Sequence, residues 1–402
     1  MGNWYCDEVE GEVPFSDIQK KADNGEFHQW KFEPFEFIEN GYEGVIDKLK
    51  SYLAVDYLKA DKETQDRMVD EVLQIYRDVD VFPIQYYSEF GIAVEIDKCI
   101  AYKAEFDGDT ISCGAGIGTT LCNYLFPNIF DTPSKHDLEK VGAETLYAKF
   151  HNDEYLKRAI KFCFSYKDGC PTPTNVMGGL RLVGSAPTNF RPMNAKAIYE
   201  RFCPEGGTIY DFCCGFGGRL LGCLSSSKNF RYVGTDPNTE TMYHLHQLGE
   251  YIEQVTGRDD SYELHCCGSE EFRGKPNSID FAFSSPPYFD LEVYSQEETQ
   301  CFNKFPVLED WLEGYVRATI KNIYYMLKPG SCYAVNIADF KVHSGSLVAY
   351  VDEWIRISTE EGMPLFDTVY LGVTARAGSK EQAAGELKKE NILIFKKPFF
   401  NK

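Results

Sequence analysis

The sequence predicts an α/β fold, with a mostly parallel sheet that ends in an antiparallel hairpin and an additional mixed α+β N-terminal domain. Two observations predict it. Beyond Pro192, apolar runs of strand length alternate with helical patterns, whereas the first half of the chain lacks this regular alternation. The strand-like runs are continuously apolar, as expected for strands of a parallel sheet that helices cover on both faces.

The C-terminal half contains five apolar runs that we predict to be parallel strands, separated by four helices. The strands are residues 208–214, 231–236, 262–267, 278–285 and 332–338. The helices are residues 217–225, 239–255, 307–327 and 347–361. Two more apolar runs, 365–371 and 391–397, are joined by the segment 372–390 without a convincing helix, which favours an antiparallel hairpin.

The N-terminal half mixes helical and strand-like patterns. Helical periodicity covers residues 42–57, 62–76 and 138–150, and residues 92–102 resemble a strand. The segment 169–192 is rich in Pro, Gly, Thr and Asn, which indicates a long connection. We therefore predict two domains, residues 1–175 and 176–402.

Composition favours a folded cytoplasmic protein. The 402 residues are 43% hydrophobic and contain no apolar run of about eighteen residues, so we expect no association with a membrane. The N-terminus does not resemble a signal peptide. None of the 14 cysteines forms a Cys-x-x-Cys pair, so we expect buried thiols in a reducing cytoplasm and no metal site.

The net charge of −21 is unfavourable for binding nucleic acids, because phosphates attract basic residues. The charge is uneven, since residues 156–201 carry a net +6 and residues 372–402 a net +4. A charge cluster is often only a solvated surface. These two clusters flank the motifs described below, and they are therefore also candidates for binding an anionic partner.

A glycine-rich turn follows the first strand of the C-terminal half. Residues 209–220 read Ile-Tyr-Asp-Phe-Cys-Cys-Gly-Phe-Gly-Gly-Arg-Leu, a strand that runs into glycines and a helix. Glycines let the backbone approach a ligand at a helix N-terminus. Asp236 ends the next strand about twenty residues later, the spacing of a carboxylate that holds a ribose. A simple turn with a helix-capping aspartate is the alternative.

Two prolines follow the fourth predicted strand in the run Ser285-Pro286-Pro287-Tyr288-Phe289. Prolines do not continue a central strand, so they predict a rigid turn at the sheet edge where ligands bind in open α/β folds. The Ser285 hydroxyl and the Pro286 carbonyl are hydrogen-bond acceptors, and the Tyr288 and Phe289 rings offer surfaces for stacking. A strand-ending turn without a ligand is the alternative.

The tetrapeptide Ser285-Pro286-Pro287-Tyr288 matches the motif Asp/Asn/Ser-Pro-Pro-Tyr/Phe/Trp at every position. On this motif the sequence resembles the amino-methyltransferase branch of the class I S-adenosylmethionine-dependent methyltransferases, over about half of the chain from Thr188 onward. The resemblance implies a Rossmann-like sheet, S-adenosylmethionine as cofactor, and methylation of an exocyclic amino group. The run to Leu291, Glu292 and Tyr294 is similar to DNA cytosine-N4 methyltransferases. The run Thr188-Asn189-Phe190-Arg191-Pro192, which precedes the glycine loop, resembles phage-type DNA methylases.

The resemblance also implies residue roles. The catalytic residues would be Ser285, Pro286, Pro287 and Tyr288, which would act on a base rotated out of its duplex. The amino nitrogen of such a base is a poor nucleophile, and hydrogen-bond acceptors on its N–H bonds would activate it. The other implied positions contact the cofactor: Asp211, Cys213, Gly215, Phe216, Gly217 and Gly218 in the loop, Asp236 and Pro237 at the ribose, Glu270 at the adenine amino group, and Asn189 and Arg191 in an additional pocket motif.

Two features of the chain depart from the resembled family. Cytosine-N4 enzymes usually carry the proline motif before the glycine loop, whereas here the loop comes first, an order commoner among adenine-N6 enzymes. The methylated base therefore stays open between cytosine N4 and adenine N6. No room for a separate recognition domain lies between the motifs, so target reading is assigned to the N-terminal half and the segment 372–390, with Arg376, Lys388 and Lys389 as DNA contacts.

Other substrates use the same tetrapeptide chemistry. RNA guanine-N2 and protein glutamine-N5 methyltransferases are alternatives, although Asn or Asp usually takes the first motif position in both. A catalytically inactive binding protein with this fold is an alternative of another class. A second glycine-rich run, residues 113–118, is interpreted as a structural turn, and His244 and His246 are not expected to share a metal because their spacing places them on different sides of a helix.

Overall fold

The computed structural model describes residue 9 and residues 11–28, 44–112, 116–132, 145–166, 169–183, 187–289, 293–341, 347–373 and 388–399. Helices dominate the first half of these residues. In chain order they are α1 (Phe15–Asp23), α2 (Ile46–Ser51), α3 (Ala54–Lys59), α4 (Lys62–Val79), α5 (Glu89–Ala101), α6 (Thr119–Leu125), a 3-10 turn (Pro127–Phe130), α7 (Leu146–His151), α8 (Asp153–Cys163), α9 (Pro173–Val183) and α10 (Pro192–Phe202).

Two predictions for this half were wrong. Residues 92–101 of the predicted strand 92–102 belong to the helix α5, because the buried side chains Ile92, Ile96 and Cys99 recur at helical spacing. The Ser88 hydroxyl caps this helix by accepting a hydrogen bond from the Gly91 amide at 3.1 Å. The predicted connection 169–192 contains the helix α9, which begins with proline, a residue suited to the first turn of a helix.

The second half alternates strands and helices as predicted. A short strand β1 (Thr110–Ile111) precedes it. The further elements are β2 (Gly207–Asp211), α11 (Gly218–Leu224), β3 (Phe230–Thr235), α12 (Thr239–Thr256), β4 (Tyr262–His265), β5 (Ile279–Ser284), α13 (Cys301–Lys304), α14 (Leu308–Trp311), a π-helical turn (Leu312–Arg317), α15 (Ala318–Met326), β6 (Leu327–Ile337), β7 (Phe340–Lys341), β8 (Leu347–Val348), α16 (Tyr350–Glu360), β9 (Leu365–Val373) and β10 (Lys388–Lys396).

Eight strands form one sheet in the order β1-β9-β10-β6-β5-β2-β3-β4. The five strands from β6 to β4 are parallel to one another. The strand β10 pairs antiparallel with both β6 and β9, which confirms the predicted hairpin. The strand β1 adds to β9 in parallel at the edge, so the N-terminal half contributes to the sheet. The hairpin connection 374–387 lies outside the described residues.

Both faces of the sheet are covered. Ile209 and Tyr210 are neighbours in β2 but belong to different hydrophobic clusters, because successive side chains of a strand point to opposite faces. The Ile209 cluster also contains Ile18 and Tyr76 from the N-terminal helices, so one core crosses the predicted boundary at residue 175. Among the described residues, no helix combines the length and apolar character needed to cross a membrane.

Candidate functional site

A cavity of about 700 Å³ lies at the carboxyl ends of β2, β3 and β5. The strand order continues in opposite directions on the two sides of β2, and open α/β sheets bind ligands at such a position. Most of the residues predicted to form the site line this cavity. They are Asn189, Arg191, Cys213, Gly215, Phe216, Asp236, Pro237, Glu270, Ser285, Pro286, Pro287 and Tyr288.

The glycine loop presents its backbone to the cavity. Gly215 has a φ of +54°, and a Cβ atom added there would meet no atom closer than 3.9 Å. The loop therefore leaves open space in front of this residue, as a ligand cradle requires. The Gly215 amide donates a hydrogen bond of 2.9 Å to Oδ2 of Asp236, which ties the loop to the end of β3.

Gly217 and Gly218 do not line the cavity. A Cβ atom at Gly217 would lie 2.6 Å from the Phe126 ring, and one at Gly218 would lie 1.9 Å from the Phe190 carbonyl oxygen. Gly217 also has a φ of +78°. Both glycines therefore permit close packing and the turn into α11, which positions the part of the loop that faces the cavity.

Asp211 does not line the cavity either, because its side chain is fully buried beneath the loop. Its carboxylate accepts hydrogen bonds from Arg219 Nε at 2.8 Å, the Tyr232 hydroxyl at 2.7 Å and the Ser284 hydroxyl at 2.7 Å. Although burial opposes the positive charge of Arg219, the carboxylate keeps the pKa of this guanidinium above its ordinary value. Asp211 thus positions the surrounding strand ends.

Asp236 lines the cavity with an ionisable carboxylate. Its Oδ1 accepts a hydrogen bond of 3.0 Å from the Asn238 amide, in addition to the Gly215 amide on Oδ2. Removal from water raises the pKa of Asp236 to about 6. A carboxylate at the tip of β3 is able to accept two hydrogen bonds from neighbouring hydroxyl groups, the chemistry needed to hold a ribose.

The proline corner follows β5 directly. Ser285 donates its hydroxyl proton to the Asn336 carbonyl at 3.3 Å, which leaves the lone pairs of its oxygen available as acceptors. The Tyr288 ring centroid lies 5.8 Å from both the Phe340 and Tyr350 rings, which pack against its sides. Phe289 ends the turn with a φ of +47°, a strained conformation of the kind that clusters at functional sites.

Glu270 lies on the other side of the cavity, with a side chain only 5% exposed. Its Oε1 accepts a hydrogen bond of 3.0 Å from Lys304, whereas the buried Oε2 has no partner among the described residues. Burial raises the pKa of Glu270, although Lys304 opposes this shift. A buried acceptor without a partner indicates a position that a ligand completes.

Asn189 and Arg191 precede α10 and reach the cavity from a third side. The Asn189 amide donates a hydrogen bond of 2.6 Å to the Phe216 carbonyl and thereby supports the glycine loop. Arg191 and Arg181 both line the cavity, and neither makes an ion pair with a carboxylate of the described ranges. These two cations make this side of the cavity suitable for an anionic group.

Sequence reasoning missed several residues of the cavity wall. Tyr315 lies in the π-helical turn, and its hydroxyl is 3.0 Å from the Cys213 sulfur. Thr119, Arg181 and Gln300 lie far from the motifs in the chain and meet them only in the folded structure. The π-helical turn, a feature common at functional sites, is not encoded by any pattern that the sequence displays.

Each of the two predicted basic clusters contains a lysine whose ammonium group is buried. Lys196 Nζ is buried and donates to the carbonyl oxygens of Cys99, Ile100 and Tyr102. Lys397 is buried in the same manner by Asn277, Tyr324 and Leu327. Part of the positive charge counted from the sequence is therefore structural, since buried cations bound by carbonyls are not available to phosphates.

Gly118 of the second glycine run and the two histidines lie in or next to helices. Gly118 caps α6 with a φ of +72°, and its amide donates to Glu95 at 3.0 Å, while residues 113–115 lie outside the described residues. His244 and His246 lie on α12 as predicted. The described ranges contain no group of three His, Cys, Asp or Glu side chains suited to a metal ion.

No family model matches the sequence, and no curated protein matches it. Parts of the chain are similar to solved structures. The cyclase SpnF is 14% identical with a TM-score of 0.36, over 52% of this chain and 82% of that chain. A SAM-dependent methyltransferase from Methanosarcina mazei is 16% identical with a TM-score of 0.34, over 50% of this chain and 98% of that one.

A third solved structure is the phosphoethanolamine N-methyltransferase 2 of Haemonchus contortus in complex with S-adenosyl-L-methionine. It is 18% identical with a TM-score of 0.31, over 51% of this chain and 52% of that chain. The sheet order and the cavity of the present chain define a Rossmann-like α/β protein. The candidate ligand site is the cavity that the glycine loop, the carboxylate at the end of β3 and the proline corner line together.

Proposed function

We propose that the protein transfers a methyl group from S-adenosylmethionine to the exocyclic amino group of cytosine (N4) or adenine (N6) in DNA, with the base rotated into the cavity. The observation that carries this proposal is that one cavity is lined by the glycine loop, Asp236 and the complete Ser285–Tyr288 corner. Methyl transfer requires one pocket that holds both the methyl donor and the amino group that accepts the methyl group.

The cofactor half of the proposal is supported by three kinds of contact. Gly215 leaves room for a ligand beside the loop, and Asp236 offers a carboxylate for two ribose hydroxyls. Glu270 offers a buried acceptor without a partner in the described chain. S-Adenosylmethionine supplies an activated sulfonium methyl group, so the protein needs no covalent nucleophile and contributes mainly by positioning the substrate.

The acceptor half is supported by the proline corner. An amino group on an aromatic ring is a weak nucleophile because its lone pair is delocalised, and acceptors on its N–H bonds concentrate electron density on the nitrogen. The Ser285 oxygen keeps lone pairs for this purpose because its proton is donated to Asn336. The Pro286 carbonyl is the second acceptor in this proposal. The Tyr288 ring, held by Phe340 and Tyr350, provides a stacking surface.

The choice of a nucleic acid is supported by the two arginines of the cavity. Arg181 and Arg191 have no carboxylate partner in the described ranges and favour a substrate that carries negative charge. The net charge of −21 opposes binding of long DNA, and it is the reason to include other acceptors in the test.

The test is a transfer assay with S-adenosylmethionine labelled in its methyl group. The same preparation is offered duplex DNA, tRNA and protein, and methylated DNA is digested to nucleosides for mass spectrometry. We expect label in DNA as N4-methylcytosine or N6-methyladenine. Label in tRNA as N2-methylguanosine, label in protein as N5-methylglutamine, or cofactor binding without transfer to any acceptor would each contradict the proposal.

A variant links transfer to the proline corner. Ser285→Ala removes one acceptor, and we expect about a hundredfold slower transfer with unchanged binding of S-adenosylhomocysteine. Ser51→Ala is the matched control, because Ser51 is exposed on α2 and its hydroxyl donates to the Lys48 carbonyl. Equal transfer rates for the two variants would show that the Ser285 hydroxyl does not contribute to methyl transfer.

A further inference from the structure

Besides the Thr119 hydroxyl oxygen, two buried polar atoms lie in the cavity wall without hydrogen-bond partners in the part of the chain that the structure describes. They are Oε2 of Glu270, an acceptor, and Nε2 of Gln300, a donor. Gln300 is only 6% exposed. Buried polar groups in folded proteins are almost always satisfied, so a ligand is the natural partner of both atoms.

The two side chains belong to one end of the cavity. Gln300 immediately precedes α13, and Lys304 at the end of this helix donates to Glu270 Oε1 at 3.0 Å. On the other side of Gln300, the Thr299 hydroxyl donates to the Pro237 carbonyl at 3.1 Å. The segment 293–304, here called the strap, therefore lies between Glu270 and the residue that follows Asp236.

The strap is held in place by the N-terminus of α12. Glu297 accepts hydrogen bonds from the Thr239 amide at 3.2 Å and from the Thr239 hydroxyl at 2.5 Å. Lys21 of α1 also lies 3.4 Å from Glu297. These contacts fix the backbone on the N-terminal side of Gln300, so the unpartnered amide is held against the cavity by a supported segment.

We propose that Glu270 and Gln300 form a subsite that recognises the adenine ring of the cofactor, an inference that rests on the proposed function. Glu270 Oε2 accepts a hydrogen bond from the 6-amino group, and Gln300 Nε2 donates one to a ring nitrogen. Adenine presents this combination of donor and acceptor, whereas hypoxanthine presents a carbonyl oxygen in place of the amino group. The role of Glu270 follows from the resemblance, and the role of Gln300 and the strap is the new element.

The experiment measures calorimetric binding of S-adenosylhomocysteine, its 1-deaza, 3-deaza and 7-deaza analogues and S-inosylhomocysteine. The variants are Gln300→Leu and Gln300→Glu. Gln74→Leu is the matched control, since Gln74 is exposed on α4 and its side-chain amide donates to Asp78 of the same helix. Circular dichroism verifies that each variant is folded.

We expect the unaltered chain to bind S-inosylhomocysteine and one deaza analogue about tenfold more weakly than S-adenosylhomocysteine. In Gln300→Leu, S-adenosylhomocysteine and that deaza analogue should bind with equal affinity. The variant has no Gln300 amide to donate to the ring nitrogen, so replacing this nitrogen by carbon no longer costs a hydrogen bond. In Gln300→Glu the affinity for S-adenosylhomocysteine falls by about tenfold, since an acceptor then faces the ring nitrogen. Gln74→Leu behaves as the unaltered chain.

Identical responses of the unaltered chain and both Gln300 variants to every analogue would overturn the subsite while leaving the proposed function intact. Failure of the unaltered chain to bind S-adenosylhomocysteine would overturn the proposed function and the subsite together. The two failures are therefore distinguished by a single titration of the unaltered chain.

Discussion

Ser284 donates a hydrogen bond of 2.7 Å to Oδ1 of Asp211 and thereby joins the carboxyl ends of β5 and β2 beneath the cavity. The proline corner begins at the next residue after Ser284, and the glycine loop begins four residues after Asp211. This contact between two buried side chains adds to the pairing of β2 with β5 and helps to set the relative position of the two motifs. The same Asp211 carboxylate forms an ion pair with Arg219, so one side chain both balances the buried guanidinium charge and joins the two strand ends.

Replacement of Asp211 tests this arrangement. We expect Asp211→Asn to lower the free energy of unfolding by about 3 kcal/mol, because the buried Arg219 guanidinium loses its counter-charge. Urea denaturation measures the change. Asp259→Asn is the matched control at an exposed position. Equal stability of the two variants would contradict a structural role for the Asp211 charge.

Asp236 predicts a pH dependence of cofactor binding. Its pKa of about 6 lies above the ordinary value of 3.8 because the carboxylate is removed from water. Ribose hydroxyls donate to the ionised form, so affinity for S-adenosylhomocysteine should fall as the pH decreases through 6. Asp236→Asn should bind more weakly at pH 8 and lose this dependence. A variant with the same pH profile as the unaltered chain would contradict the assignment.

The sign for stability is the reverse of the sign for binding. Because the pKa of Asp236 is raised by folding, its ionisation disfavours the folded state, and this contribution grows as the pH rises from about 4 to about 6. Unfolding measurements without ligand should therefore show that Asp236→Asn gains stability relative to the unaltered chain above pH 6. Binding and stability thus change in opposite directions with pH at this residue.

His28 predicts a second pH effect, in the N-terminal half. Its ring lies 2.9 Å from Asp131 and 3.2 Å from Glu240, and hydrogen bonds to these carboxylates raise the pKa of His28 to about 10. The stabilisation is fully present below pH 6.5 and is lost as the pH rises toward 10. The stability difference between the unaltered chain and His28→Gln should therefore narrow over this range in urea denaturation. A constant difference would exclude the ion pairs as its cause.

The basic residues near the hairpin give a test of DNA binding. Charge reversal of Arg376, Lys388 and Lys389 should weaken binding to duplex DNA and reduce its dependence on salt, because fewer counterions are released. Arg376 and the side chain of Lys388 lie outside the described residues. Lys389 is exposed and 3.7 Å from Asp109, which leaves it partly available.

The control for this experiment reverses three charges that lie outside the hairpin of β9 and β10. Lys20, Lys59 and Lys103 are exposed and serve this purpose. Binding measured at several salt concentrations should change less for the control than for the hairpin variant. Equal effects of the two variants would show that only the total charge of the protein affects binding. Unchanged binding in both variants would show that the hairpin residues do not take part in DNA binding.

The strands of the C-terminal half were predictable because each is a continuous apolar run, and a parallel sheet covered on both faces requires such runs. The hairpin of β9 and β10 followed from the absence of a helix between two strand-like segments. The helix α5 was mistaken for a strand because its residues are apolar on most sides, and periodicity does not distinguish a buried helix from a strand in a short segment.

The sequence by itself determined the order of strands and helices along the C-terminal half and the residues of the two local motifs, since both depend on neighbouring residues. Only the tertiary structure decided that Thr119, Arg181 and Gln300 line the same cavity, that Asp211 lies beneath it, and that Lys196 and Lys397 are buried. Burial and the sharing of hydrogen bonds arise between segments that are distant in the chain. They depend on packing, which local patterns of hydrophobicity and charge do not specify.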